Sequence, residues 1–98
     1  MPAYKEKFIN DITREDRKIS ISGLIINKEG NLIFVDDGTG VIAVNIESQV
    51  PINSFVRVFG YLLHNNDEVQ LQANIIQDLS NVNKEAYNKL KKLLNQKQ

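Results

Sequence analysis

The sequence predicts an all-β domain: five short strands closed into a Greek-key barrel, with one α-helix at the C-terminal end. Three observations predict it. Between residues 18 and 76 apolar side chains recur mainly with a period of two. The runs are separated at regular intervals by Gly, Asn, Asp and Pro, the spacing of a small barrel. After Asn83 the period lengthens to that of a helix.

Each element follows from its residues. Residues 18–27 (KISISGLIIN) alternate Ile19 and Ile21 with Ser20 and Ser22, and Gly23 inside the run marks a bulge or bend. Beyond it Leu24, Ile25 and Ile26 blur the alternation, as in a strand that serves two surfaces. Residues 28–31 (KEGN) form a turn. Residues 32–36 and 41–46 are the second and third strands, joined by the hairpin signal Asp37-Gly38-Thr39-Gly40. Pro51, which has no N–H to donate, places residues 47–53 in a loop. Residues 54–63 are the fourth strand, with Val56, Val58 and Leu62 on one face and Arg57, Phe59, Tyr61 and Leu63 on the other. Residues 64–67 (HNND) form a turn, and residues 68–76 the fifth strand, with Val69, Leu71, Ala73 and Ile75 expected on one face. The organisation is therefore one domain: a lead-in over 1–17, the barrel over 18–79 and the helix over 80–98.

The helix has its own signals. Asn83 is a favourable N-cap and Glu85 sits in the first turn. Val82 and Tyr87 have hydrophobic-staple spacing. Ala86, Tyr87, Leu90, Leu93 and Leu94 form an apolar stripe, which leaves Lys84, Asn88, Lys91 and Asn95 mainly towards water.

Composition narrows the function. The chain has 98 residues, 42% of them apolar, and a domain this short buries only about 60–65% of its unfolded surface. Its core is marginal, so a partner subunit matters. Without cysteine there are no disulfides, thiolate metal sites or cysteine nucleophiles, and an intracellular location (cytoplasm or nucleoid, or a nucleus) is expected. No apolar run approaches membrane-spanning length, and the first ten residues lack a signal-peptide core.

Net charge is zero but unevenly spread. Residues 19–83 carry only Lys28 and Arg57 against seven acids, a net of −5, while residues 84–98 carry five lysines against Glu85, a net of +4. Catalysis finds no constellation. The lone histidine, His64, lies in a polar turn without a nucleophile beside it. Asp36 and Asp37 are adjacent and point apart in extended chain. Gly38-Thr39-Gly40 lacks the Gly-Lys-Ser/Thr of a phosphate loop. No catalytic residue, metal site, cofactor or small-molecule substrate is expected.

Five motifs carry a resemblance: FINDI before the first strand, ISISGLI within it, FVDDGTGVIAVNI across the hairpin, FVRVFGYL in the fourth strand, and VQLQANIIQDL leading into the helix. Over residues 18–94 the chain resembles the oligonucleotide/oligosaccharide-binding (OB-fold) domain of the middle subunit of replication protein A and its archaeal and telomere-complex relatives. The family stacks bases on aromatics of the second, third and fifth strands. This chain instead has Ala43, Asn45, Gln70, Gln72 and Asn74 at outward positions, which leaves Phe34 as the stacking candidate.

The resemblance implies a small non-catalytic accessory subunit of a replication or genome-maintenance complex, either replication protein A-like or a polymerase holoenzyme. It would dock on a larger subunit and support that subunit's grip on DNA. In the family the equivalent helix joins subunits in a helical bundle. Partner-binding candidates are Arg57, Phe59 and Tyr61 on the fourth strand, and Leu90, Leu93 and Leu94 on the helix. Own-chain cover around Phe8 and Ile12 is the competing use of the strand aromatics. Weak contact with single-stranded DNA falls to Phe34, Lys28, Lys89, Lys91 and Lys92. The alternatives are a free-standing single-stranded DNA-binding protein and an RNA-associated module of the same fold.

Overall fold

In the computed structural model, residues 4–95 are described. The elements are β1 (Lys5–Glu6), a single 3-10 turn at Ile9–Asp11, β2 (Lys18–Glu29), β3 (Leu32–Asp36), β4 (Val41–Asn45), β5 (Phe55–Asn65), β6 (Glu68–Asp78) and α1 (Lys84–Asn95). Residues 1–3 of the lead-in and 96–98 of the expected helix lie outside the described residues.

The strands pair in the order β1-β2-β3-β4-β6-β5, and β2 pairs again with β5, which closes β2 to β6 into a five-stranded barrel. All barrel pairings are antiparallel except β4 with β6. The closure depends on β2 serving two neighbours. Leu24 pairs both with Asp36 of β3 and with Phe55 of β5, so the strand turns between two sheet directions there. Gly23 permits that turn: a Cβ at this position would lie 2.5 Å from the Asp36 carbonyl oxygen. Ile19, Ile21, Ile25, Ile33, Val35, Ile42, Val44, Val56, Val58, Leu62 and Leu71 fill the interior.

Several boundaries differ from expectation. β2 runs on to Glu29, so the first hairpin turns on Gly30-Asn31 alone, with Gly30 at φ +59°. β5 likewise runs through His64 to Asn65, and Asn66 at φ 58° makes the turn. His64 is thus an exposed strand-end residue whose Nε2 lies 3.3 Å from the Asp16 carbonyl oxygen. In β6 a register shift opposite Phe59/Gly60 reverses the alternation. Ile76, not Ile75, packs on the core, and Ile75 is turned outward at 46% exposure. The lead-in adds a strand that two residues could not announce by periodicity: β1 lies parallel to β2, Glu6 opposite Ser20.

Two aspartates fasten the lead-in. Asp37, buried in the hairpin, accepts the Ile9 N–H at 2.7 Å through Oδ2, and the Thr39 N–H at 2.9 Å and hydroxyl at 2.7 Å through Oδ1. Asp16 meets Lys7 Nζ at 3.1 Å. Burial pulls the Asp16 carboxyl upward, but the Thr13 N–H and the Lys7 and Lys5 ammonium groups outweigh it and hold the group below its ordinary range.

Candidate functional site

The site is built where α1 crosses the open side of β1, β2 and β5. Asn83 Oδ1 accepts the Ala86 N–H at 2.9 Å, so the cap sets where the helix starts. That start fixes which face meets the barrel. The surface beneath is polar, formed by Ser20, Ser22, Glu6 and Arg57, and it receives Tyr87 and Lys91, one helical turn apart. The phase therefore differs from the sequence expectation on one decisive residue. Lys91, assigned to the wet face and to nucleic acid, is 3% exposed. Leu90, Leu93 and Leu94 stand out at 55–59% exposure instead. The staple does not form as expected either: Val82 is exposed, and Tyr87 is turned to the barrel, its ring edge-on to Phe55 at 5.7 Å.

Tyr87 Oη is the hub of a hydrogen-bonded node. It donates to Glu6 Oε2 at 2.7 Å and accepts from Arg57 Nε at 2.9 Å and a second guanidinium nitrogen. Ser22 Oγ lies 3.0 Å away. Burial raises the phenol above its usual range, and the neighbouring Glu6 adds to this against Ser22 and Arg57. Arg57 also donates to Gln77 Oε1 at 3.3 Å, so it belongs to this node and is not a free surface cation.

Lys91 is held differently. Its Nζ sits 4.4 Å above the Phe8 ring centroid and 3.8 Å from Glu6 Oε2, and it makes no hydrogen bond among the described residues. Burial lowers its pKa below the ordinary lysine value, with Glu6 and Asp37 opposing. Beside it lies a cavity of about 140 Å³ lined by Glu6, Arg57, Tyr87, Leu90, Lys91 and Leu94. The cavity opens between the polar node and two leucines of the exposed stripe.

The other sequence candidates fall elsewhere. Phe59 is half-buried against Tyr4, ring centroids 5.4 Å apart, so the cover comes from Tyr4 and not from Phe8, which is buried beneath Lys91. Tyr61 remains 47% exposed, next to Lys18 Nζ at 5.6 Å from its ring centroid. Phe34 is half-buried on β3 opposite Ala43. Lys28 Nζ is tied to the Val50 carbonyl at 3.0 Å. Lys89 and Lys92 are exposed on α1. Sequence reasoning missed Glu6 and misplaced Lys91, since their partnership spans most of the chain.

A closed five-stranded barrel of this connectivity with a C-terminal helix is an OB-fold. No family model matches the chain, and no curated protein matches it in sequence. Solved structures do. A chain of the S. pombe Stn1–Ten1 complex is similar with a TM-score of 0.67 and 27% identity, over 83% of this chain and 71% of that one. The S. pombe telomere capping protein Ten1 matches with a TM-score of 0.70 and 14% identity, over 90% of this chain and 93% of that one. A chain of a replication protein A heterotrimer bound to single-stranded DNA matches with a TM-score of 0.58 and 20% identity, over 72% of this chain and 62% of that one. The protein is an OB-fold resembling replication protein A-like and telomeric subunits.

Proposed function

We propose that the protein is a small, non-catalytic accessory subunit of a DNA-maintenance complex. It docks on a larger subunit through the outer face of α1 and so supports that subunit's hold on DNA. One observation carries the reading: Leu90, Leu93 and Leu94 stand more than half exposed on a helix whose opposite face is engaged with its own barrel. Such an apolar stripe marks an interface. The similar structures support a hetero-oligomeric setting, two of them being described as a complex and a heterotrimer. Independent strand binding has less support. The stretch over residues 19–83 is acidic, Lys28 is tethered and Phe34 is half-buried, so both phosphate neutralisation and base stacking are short of groups.

The test compares the wild-type chain with a Leu90→Asp/Leu94→Asp variant, purified from its native cell at natural abundance. The wild type is expected to bring down a larger DNA-binding subunit in fixed stoichiometry, and the variant to lose it while melting within a few degrees of the wild type. Retention of the subunit by the variant would refute the reading.

A further inference from the structure

The docking face carries a charge requirement as well as an apolar one. A lysine that is 3% exposed should have its ammonium donors paired, yet Lys91 Nζ makes no hydrogen bond among the described residues. Glu6 does not meet the need: at 3.8 Å its Oε2 is beyond hydrogen-bond range, and that oxygen already accepts the Tyr87 hydroxyl. Arg57, the second cation on the cavity, leaves two positive groups facing one carboxylate. The same cavity is bounded by Leu90 and Leu94, so whatever lies along the leucine stripe lies over its mouth.

We propose that the partner segment seated on α1 is an apolar helix bearing one acidic side chain, whose carboxylate enters this cavity and accepts hydrogen bonds from Lys91. The inference rests on the docking reading above and adds the chemistry of its partner. A carboxylate meets three conditions together. It supplies the acceptor that Lys91 lacks, it balances the excess positive charge beside Glu6, and its short apolar stem suits a mouth framed by leucines. A nucleic-acid phosphate meets the first two, but its diester carries no apolar stem and approaches a barrel with an acidic excess. Lys91 sets selectivity for an acidic partner, and the leucines supply contact area.

The experiment uses the full chain and three probes. Butyrate and butyramide are titrated while the Lys91 ε-methylene resonance is followed by NMR. Two labelled amphipathic peptides with a leucine seam, identical except for a central Glu or Gln, are titrated by fluorescence anisotropy. Oligo-dT is the third probe. Butyrate but not butyramide is expected to shift Lys91 saturably. The Glu peptide is expected to bind about tenfold more tightly than its Gln twin, the effect of one charge-assisted hydrogen bond. Lys91→Met should abolish that preference and Lys91→Arg retain much of it, whereas Leu93→Asp should weaken both peptides alike. Equal binding of the twins, a preference that survives Lys91→Met, or a Lys91 shift produced by oligo-dT alone overturns the proposal. Unchanged binding of both peptides to Leu93→Asp strikes the docking reading, so the two failures are distinguishable.

Discussion

Replacing Lys91 by Met should stabilise the free chain. In its favour the native ammonium has the attraction of Glu6 at 3.8 Å, about 4 kcal/mol before desolvation at an effective dielectric of 20, and a cation–π contact with Phe8 of about 2 kcal/mol. Against these stand a desolvation penalty of several kcal/mol and about 2 kcal/mol of lost lysine rotamer freedom, with no hydrogen bond to offset them. Met keeps the length of the stem and removes the charge. Glu6 is not stranded, because Tyr87 donates to it and Arg57 Nε remains 3.9 Å from it. The balance favours the variant by about 1 kcal/mol, or a rise in Tm of roughly 4–8 °C for a domain of this size. Calorimetry across pH checks the cause. A lysine whose folded pKa lies below its unfolded value costs stability while charged in both states. Stability then rises with pH between the lowered folded pKa and about 10.5. The advantage of the variant should therefore shrink as pH climbs towards 10. Tyr87, raised above 10.0, acts in the opposite sense above that pH and is common to both proteins. A lower Tm for Lys91→Met at pH 7 would refute the reasoning and make the Lys91–Glu6–Phe8 arrangement a net source of stability.

Asp37→Ala removes a buried carboxylate that accepts from Ile9 and Thr39, and should cost about 2–4 kcal/mol in urea unfolding and loosen the lead-in; a loss under 1 kcal/mol would mean that other contacts hold it. The isolated protein should bind oligo-dT weakly with a shallow salt dependence, as few cations meet phosphates; sub-micromolar affinity near physiological salt, lost on Phe34→Ala, would promote a free-standing strand-binding role. Tyr61→Ala should leave Tm nearly unchanged, as the side chain is half exposed, and weaken association with the larger subunit by about 1–2 kcal/mol; a large drop in Tm with assembly intact would make Tyr61 part of the fold instead.

The barrel was legible because its strands carry their own punctuation. Ile19/Ile21 and Val56/Val58 alternate towards the interior, and Gly30 and Asn66 occupy the left-handed positions their turns require. The helix start was legible from Asn83 for the same reason: the cap acts within one turn of itself. The helix phase was not. Three leucines at helical spacing read as the buried face, but burial depends on what the barrel offers beneath the helix, and it offers Glu6, Ser22 and Arg57. That surface is assembled from β1, β2 and β5, segments far apart in sequence, and no local pattern announces it. Ile75 failed expectation through a similar non-local cause, a register shift that shows only where β6 meets β5.

The placement of the helix separates stability from recognition in this chain. The barrel interior is closed by its own strands, so α1 is held to it chiefly by the Tyr87 node and Lys91. Both anchors converge on Glu6, and Glu6 belongs to β1, a two-residue strand held along the edge of β2. A partner that draws Lys91 towards its own carboxylate thereby alters the charge around Glu6, and with it the hold of β1. Docking on the leucine face is in this way coupled to the order of the lead-in, whose other fastenings, Asp37 to Ile9 and Asp16 to Lys7, lie away from the helix. The buried charge lowers the stability of the isolated subunit, and a complementary acid offsets that cost only in the complex. A domain with a core this small gains discrimination between partners from such a group, where further leucines would add affinity for any apolar surface.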